Sequence, residues 1–489
     1  MTLPRMPTGI PGLDEILHGG LIPDSTYLIV GCTGAGKTIL SLQWLLDGLR
    51  RGEPGLFITL AEPPETVARN VSGFGWNLEG LAILDLSPGQ SLPAETGDEY
   101  RIFPPSEVEQ TPTWQTIYDT ITRLQPRRVV IDSVTQLRYL STDEYQFRKH
   151  ILHLVNFLNR QRCTTLLTFE PLVLQQETSV ALAADGVLQL HAEISAGRVI
   201  TLRSLSVEKL RGSDFLSGRH PMRITGDGIR LFPHRIETPP DTLPNGERLP
   251  FGVAQLDDLM GGGLETHTTT IISGPSGVGK TTLGLQFLLT AAQHGKRAIL
   301  YTFEESSASI LTRARQLGLP VEAPLNAGNL QLVHINPLQL YPDELLHHIR
   351  RAVEGEGRQV VMLDSLRGYA LAMEQFGLLT AHLQNIVTYL NSRGAITLLV
   401  NEIEHLTGEL RITELGVSYL VDNLLLLRFA EYSGQVIRVI ACLKKRLGSF
   451  QPELRRFDIG AGGIQIGEPL STLRGVLTGV PEHENPPHA

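Results

Sequence analysis

The pattern G-x-x-x-x-G-K-[ST] occurs twice in this chain, each time between an apolar run and a helix-like one. In the second half it reads Gly274-Pro275-Ser276-Gly277-Val278-Gly279-Lys280-Thr281-Thr282, after Thr270, Ile271 and Ile272 and before Leu283 to Leu289. Strand, glycine loop and helix in that order form a phosphate cradle. Successive backbone N–H groups must curl round an anion, which glycine permits, and the helix N-terminus adds its positive end. Gly274, Ser276, Gly277, Val278 and Gly279 are therefore predicted to line the cradle, with Thr282 opening the helix. Lys280 would reach the β/γ-phosphates of a nucleoside triphosphate, and the Thr281 hydroxyl would ligate Mg²⁺. Near the N-terminus Gly31, Thr33, Gly34, Ala35, Gly36, Lys37, Thr38 and Ile39 repeat the arrangement, with Thr38 as the metal-side hydroxyl.

The repeat extends beyond the loops. Lys280 lies 280 − 37 = 243 positions after Lys37, and Leu256-Asp257 keeps that offset from Leu13-Asp14. Gly19-Gly20-Leu21 is matched by Gly262-Gly263-Leu264. A period this long means two copies of one domain. We place the first at 1–236 and the second at 250–466, with a Pro-rich polar linker at 237–249 and a tail at 467–489 expected to be disordered. Within each half short apolar runs alternate with amphipathic stretches. That predicts an α/β fold of two tandem P-loop domains, each a mostly parallel β-sheet flanked by helices.

Two acidic strand ends recur. Leu56 to Leu60 leads to Ala61-Glu62, and Ile299 to Phe303 leads to Glu304-Glu305. Carboxylates at the C-terminal edge of a doubly wound sheet sit where its chemistry is done. Glu62, Glu304 and Glu305 are the candidate catalytic acids, able to orient or deprotonate water, and Glu304 can also support the metal. Further on, Val129-Val130-Ile131-Asp132 and Val360-Val361-Met362-Leu363-Asp364 each close an apolar strand on an Asp, the pattern that holds Mg²⁺. Their offset is 364 − 132 = 232, so the first copy carries about eleven extra residues, which the Ser87 to Glu107 stretch accommodates as a loop. Glu170 and Glu402 follow a later strand in each copy, where they either sense the γ-phosphate or cap a loop.

Late in each half come Lys209-Leu210-Arg211 and Lys444-Lys445-Arg446, preceded six residues earlier by Arg203 and Arg438. Alternate strand residues face the same way, so Lys209 and Arg211 make a two-cation prong suited to phosphate, from within the subunit or from a neighbour. An edge strand guarded by lysines against aggregation is the other account. The net charge of −9 argues against a dedicated nucleic-acid surface. Cys32, Cys163 and Cys442 lie far apart without metal spacing, as in a reducing cytoplasm. No apolar stretch has the length of a membrane span.

Taken together, the Gly-Gly-Leu lead-in, the P-loop, the acid strand followed by Phe74-Gly75-Trp76, the Val-Ile-Asp-Ser-Val strand and Lys-Leu-Arg-Gly-Ser resemble the double-domain KaiC family of RecA-like ATPases. The resemblance runs from about Pro7 to Ile466. It implies RecA-like domains binding ATP and Mg²⁺ in a two-tier homohexamer, with ATP at each subunit interface in both tiers. The neighbour's Lys209, Leu210, Arg211 and Ser213 would complete the first site, and Arg438, Lys444, Lys445 and Arg446 belong to the second. The family joins slow hydrolysis to autokinase activity in its second domain, and in cyanobacteria forms the circadian core, working with regulatory protein partners.

Departures from the family pattern carry expectations of their own. Ala61 stands where an acid is usual, so the first domain should hydrolyse less than the second. In the stretch from Thr413 to Asp422, Ser418-Tyr419 replaces the family's Ser-Thr acceptors, leaving Ser418 as the candidate phosphoacceptor. A RecA/RadA-like motor on single-stranded DNA is the alternative function, and a scaffold whose assembly ATP controls is a third.

Overall fold

The computed structural model describes residues 3–87, 110–139, 144–176, 178–194, 201–238, 246–374, 376–403, 417–432, 434–471, 473–474 and 482–483. Thr413, positions 88–107 of the proposed loop, 239–245 of the linker and most of the tail lie outside them. The chain divides into two compact units, Met1–Arg235 and Ile236–Ala489.

Unit 1 contains β1 (Thr26–Gly31), β2 (Gly55–Thr59), β3 (Ala82–Asp85), β4 (Arg128–Asp132), β5 (Thr164–Phe169), β6 (Gly186–Ile194), β7 (Thr201–Leu210), β8 (His220–Thr225) and β9 (Gly228–Leu231). Their order in the sheet is β3-β2-β4-β5-β1-β6-β7-β8-β9. The strands from β3 to β6 run parallel, and β6 through β9 form an antiparallel extension. Unit 2 pairs β10 (Arg248–Leu249) with β11 (Leu264–Glu265) and then repeats the sheet. Its strands are β12 (Thr269–Gly274), β13 (Ala298–Thr302), β14 (Leu330–His334), β15 (Val360–Asp364), β16 (Ile396–Glu402), β17 (Asn423–Tyr432), β18 (Gln435–Lys445), β19 (Arg455–Gly460) and β20 (Gly463–Pro469). Their order is β14-β13-β15-β16-β12-β17-β18-β19-β20. The two RecA-like α/β sheets are the same sheet drawn twice.

The central strands read as near-continuous apolar runs because both faces are covered. Tyr27 and Ile29 pack with Trp44 of the helix Lys37–Arg50, while Leu28 and Val30 join Trp114, Ile117, Phe147 and Ile151 on the other side. In unit 2 Ile272 and Met362 face the helix Lys280–Gln293, and Ile271 and Val361 face the helices Pro342–Arg350 and Leu379–Ser392. Strand period two thus assigns each residue its layer.

The lead-in is equally built. Asp14 accepts hydrogen bonds from the Thr8 N–H (2.8 Å) and hydroxyl (2.7 Å), and Asp257 accepts from the N–H of Phe251 (2.5 Å) and Gly252 (3.2 Å). Burial nevertheless pushes the Asp257 carboxyl above its ordinary range. Gly263 has φ +115° and a Cβ there would lie 2.1 Å from the Leu249 carbonyl oxygen; Gly20 has φ +114° with Met6 O at 2.3 Å. Only glycine tolerates both the angle and the backbone contact. Gly263→Ala is expected to cost at least ~2–3 kcal/mol, read as a lower denaturant midpoint for the unit 2 transition.

Candidate nucleotide site

Parallel pairing brings the predicted residues to one edge of each sheet. Thr59 stands opposite Asp132 and Thr302 opposite Asp364, while Gly274 at the end of β12 stands opposite Glu402. The chain then bends identically in both units. The N–H of Leu60 or Phe303 donates to the carbonyl of the strand-end Asp (2.8 and 2.9 Å). The hydroxyl of Thr59 or Thr302 donates to the carbonyl of Glu62 or Glu305 (2.5 and 2.6 Å).

Each glycine loop turns through positive φ before its helix, at Gly34 (+79°) and Gly36 (+105°) and at Gly277 (+74°) and Gly279 (+115°). A Cβ on Gly279 would lie 2.5 Å from Ile459 Cδ1, and one on Gly36 3.1 Å from Ile224 Cδ1. The antiparallel extension therefore packs directly against the helix start. Ala35 and Val278 are buried and anchor their loops in the cores, whereas Thr33, Gly34, Ser276 and Gly277 are exposed.

In unit 2 a cavity of about 540 Å³ opens over the loop, lined by Ser276, Gly277, Gly279, Lys280, Thr281, Thr282, Thr302, Glu304, Glu305, Arg313, Leu317, Asp364, Ser365, Glu402, Arg438 and Ile459. Lys280 is buried, and its Nζ donates to Pro275 O at 2.7 Å. Burial lowers its pKa against the opposing pull of Glu402, Asp364 and Glu304. Asp364 is pushed up to about 6, chiefly by burial, with the Thr281 hydroxyl and Lys280 acting the other way. Glu304 accepts a hydrogen bond from Ser365 Oγ (2.9 Å), and that same hydroxyl caps the helix Leu366–Met373 through the Gly368 N–H (3.2 Å). In unit 1 Lys37 donates to Gly31 O (2.6 Å) and Cys32 O (3.2 Å). Thr38 Oγ1 donates to Asp132 Oδ2 (2.6 Å), and Thr168 holds the other Asp132 oxygen at 2.6 Å.

The donor set fits a triphosphate. Arg438 stacks 5.8 Å from the centre of the Phe429 ring, and its buried Nε has no hydrogen-bond partner among the described residues. A buried unpaired donor beside a phosphate loop is the feature an anion satisfies. Arg203, its counterpart, approaches Gly34 O at 3.4 Å. No group of three or more metal-holding His, Cys, Asp or Glu side chains occurs among the described residues. A Thr hydroxyl with one carboxylate fits Mg²⁺, which keeps waters and takes its remaining ligands from phosphate oxygens.

The basic clusters divide. Lys209 donates to the carbonyls of Ala181, Leu182 and Ala184 (2.7–2.9 Å), and Arg211 reaches Leu182 O at 2.6 Å. Lys444 donates to Ser418 O (2.9 Å) and Val421 O (2.6 Å), and Arg446 to Tyr419 O (2.9 Å). Lys444 and Arg446 do not line the unit 2 cavity. β7 and β18 have β8 and β19 on their outer side, but that pairing covers Arg203–Leu205 and Arg438–Ile440 and stops short of the clusters.

Lys445 belongs to neither prong. Facing away from Lys444 and Arg446, it is buried, donates to Met260 O and to Gly263 O (2.9 Å), and pairs with Glu265 at 3.1 Å. That corrects its grouping with the phosphate ligands, because a side chain pointing inward from a strand cannot join its outward neighbours. Leu210 is likewise a core residue, and Ser213 is engaged by Arg5 and by Asp214 O. Sequence reasoning missed Arg313 and Ser365. Ser365 was findable from its place after the strand-end Asp, whereas Arg313 carried no signal, being one of two arginines on the helix Ser307–Gln316.

Comparison with known proteins agrees over the whole length. Residues 6–236 and 249–471 each match the family model described as "ATPase: KaiC". The chain is 29% identical to the circadian clock oscillator protein KaiC of Parathermosynechococcus lividus, over 99% of this chain and 89% of that one. It is 28% identical to that of Prochlorococcus marinus (strain MIT 9313), over 98% and 96%. Against that of Acaryochloris marina it is 29% identical, over 97% and 90%.

Proposed function

We propose, on the premise that this chain belongs to the KaiC family of ATPases, that both units bind Mg-ATP and that the second is the faster hydrolytic site. The observation that carries this is the unit 2 cavity, where a buried lysine, an orphaned arginine Nε and a free-facing carboxylate converge over a glycine cradle. Thr281 and Asp364 would hold Mg²⁺ in unit 2, and Thr38 and Asp132 in unit 1; the ion would neutralise charge on the phosphates. Lys280 and Lys37 bind the outer phosphates. Glu304, held by Ser365, takes the proton from the attacking water. Unit 1 offers Ala61 and Glu62 at the matching positions, and slower turnover follows.

The domains are proposed to span 1–236 and 250–466, within a two-tier homohexamer. Lys209 with Arg211, and Lys444 with Arg446, would contact ATP held by the neighbouring subunit. In support, the two side chains of each pair share one side of their strand end and rest on the same turn of their own unit. Ser418 sits half-buried in the turn beneath Lys444 and is the proposed phosphoacceptor of an autokinase step. A cytoplasmic role in clock-like or signalling regulation, through protein partners, extends from the names of the relatives. Among the described residues no helix is long and apolar enough to cross a membrane. The single-stranded DNA motor is not favoured, since the matched family is the KaiC one in both units.

Steady-state ATPase and native mass on one preparation provide the test. The wild type is expected to turn over ATP and to assemble as six chains with ATP, while Lys37→Ala/Lys280→Ala loses both. A wild-type chain that stays a protomer and leaves Mg-ATP unhydrolysed overturns the proposal. Phosphosite mapping after incubation with ATP is expected to find phosphate on Ser418, and an unmodified Ser418 retires the autokinase step alone.

A further inference from the structure

The two acid positions of unit 2 do not face the cavity as equals. Glu305 is closed off by its own unit. Its Oε1 accepts from Arg313 Nη1 (2.8 Å) and Ser309 Oγ (2.7 Å), and its Oε2 accepts from Arg313 Nη2 (2.9 Å). This is a parallel two-bond fork, the geometry in which guanidinium and carboxylate hold each other most firmly. Glu304, one residue earlier, has the Ser365 hydroxyl on one oxygen.

Unit 1 supplies the internal comparison. Position 70 is the counterpart of 313, since 313 − 70 = 243, and it is Asn. Asn70 Nδ2 donates to Glu62 Oε2 at 3.0 Å, a neutral contact to a carboxylate exposed to solvent. The backbone is not the source of the difference, because Thr59 and Thr302 fix Glu62 and Glu305 through the same hydroxyl-to-carbonyl bond. What changes is the partner on the helix that follows. It is Asn70 on Pro64–Ser72 in unit 1 and Arg313 on Ser307–Gln316 in unit 2.

We propose that Arg313 is a positioning residue that withdraws Glu305 from catalysis, so that the hydrolytic carboxylate is Glu304 in unit 2 and Glu62, one position later, in unit 1. The inference rests on the ATPase reading of the two sites and adds to it an asymmetry: each unit keeps one working carboxylate at a different position. A carboxylate can take a proton from water only through a lone pair directed at that water. Two of those on Glu305 point at a guanidinium and a third at a hydroxyl. Arg313 thereby acts as a restraint on unit 2, and its removal returns a second base to the site.

The test is a double-mutant cycle in the full chain, with unit 2 turnover taken as the difference from Lys280→Ala, whose remaining activity is that of unit 1. Arg313→Asn, which recreates the unit 1 pair, is expected to raise kcat about three-fold or more with KM changed less than about two-fold. Glu305→Gln is expected to change kcat far less in the wild-type background than in the Arg313→Asn one, where it removes the gain, because the gain passes through Glu305. Arg313→Lys, which keeps the charge, is expected to show less than half of the gain. Arg313 is partly exposed, so thermal midpoints should stay close together, and Arg313→Gln serves as a second neutral variant. A kcat that falls or holds in both neutral variants overturns the inference, as does a gain that persists without Glu305. If Lys280→Ala removes no turnover at all, the ATPase reading of unit 2 falls first and takes this inference with it.

Discussion

Glu304→Gln is expected to cut the ATP turnover of the second unit by on the order of 10²-fold while leaving nucleotide affinity within about three-fold. The substitution keeps the shape of the side chain and its bond to Ser365 Oγ, which an amide oxygen accepts as well as a carboxylate. What it removes is the ability to take a proton. A general base contributes only in the transition state, so the loss belongs in kcat. The cradle, Lys280 and Arg438 are untouched, and affinity should follow them. The reciprocal change, Ala61→Glu in unit 1, restores a carboxylate where the backbone already bends as it does at Glu304, and is expected to raise turnover there. Equal loss of affinity and turnover in Glu304→Gln would mean that this residue supports the metal rather than the water.

Much of this was legible before any coordinates. The glycine loops at Gly31–Thr38 and Gly274–Thr281 and the apolar strands closing on Asp132 and Asp364 came from motif and period, because each is written in a short contiguous stretch. The offset of 243 carried Asp14 to Asp257 and Gly20 to Gly263, whose backbone contacts explain why those residue types recur. Less legible was the partition within a cluster. Lys444-Lys445-Arg446 reads as one basic run, yet strand alternation sends Lys445 to Glu265 in the interior. The Glu305–Arg313 pair spans a turn of helix after a loop, and nothing in the spacing distinguishes Arg313 from Arg315, which pairs with Glu322 instead.

Arg128→Val carries the largest expected stability effect, about 3–5 kcal/mol for unit 1. Arg128 opens β4 with no exposed side-chain surface. Its Nε donates to Glu53 (2.6 Å) and its Nη1 to Trp44 O (2.6 Å), Asp47 lies at 3.7 Å, and the guanidinium carbon sits 5.1 Å from the Trp44 ring centre. Burial lowers its pKa while Glu53 and Asp47 oppose the shift. Removing the cation strips the part-buried Glu53 of its partner and opens a void beside Trp44, while Asp47 keeps Arg51 at 2.6 Å; breaking a buried pair costs more than the pair contributes.

Unit 2 is the control already made. Val360 occupies the position of Arg128, and at the 243 offset Thr290, Ala291 and Lys296 replace Asp47, Gly48 and Glu53. The exchange is concerted for a steric reason: a Cβ on Gly48 would lie 2.5 Å from Arg128 Cδ, whereas in unit 2 the arginine's place is taken by Val360 and the glycine's by Ala291. Thr290 turns its hydroxyl to Phe251 O (2.9 Å), and Lys296 pairs outward with Glu247. Asp47→Thr/Gly48→Ala/Glu53→Lys/Arg128→Val should therefore recover most of the loss in chemical denaturation, although it carries three further changes. Independent costs would add and make the fourfold variant worse than Arg128→Val. Recovery requires that the four residues act as one unit, buried charge and the space cleared for it exchanged together for a filled apolar seam.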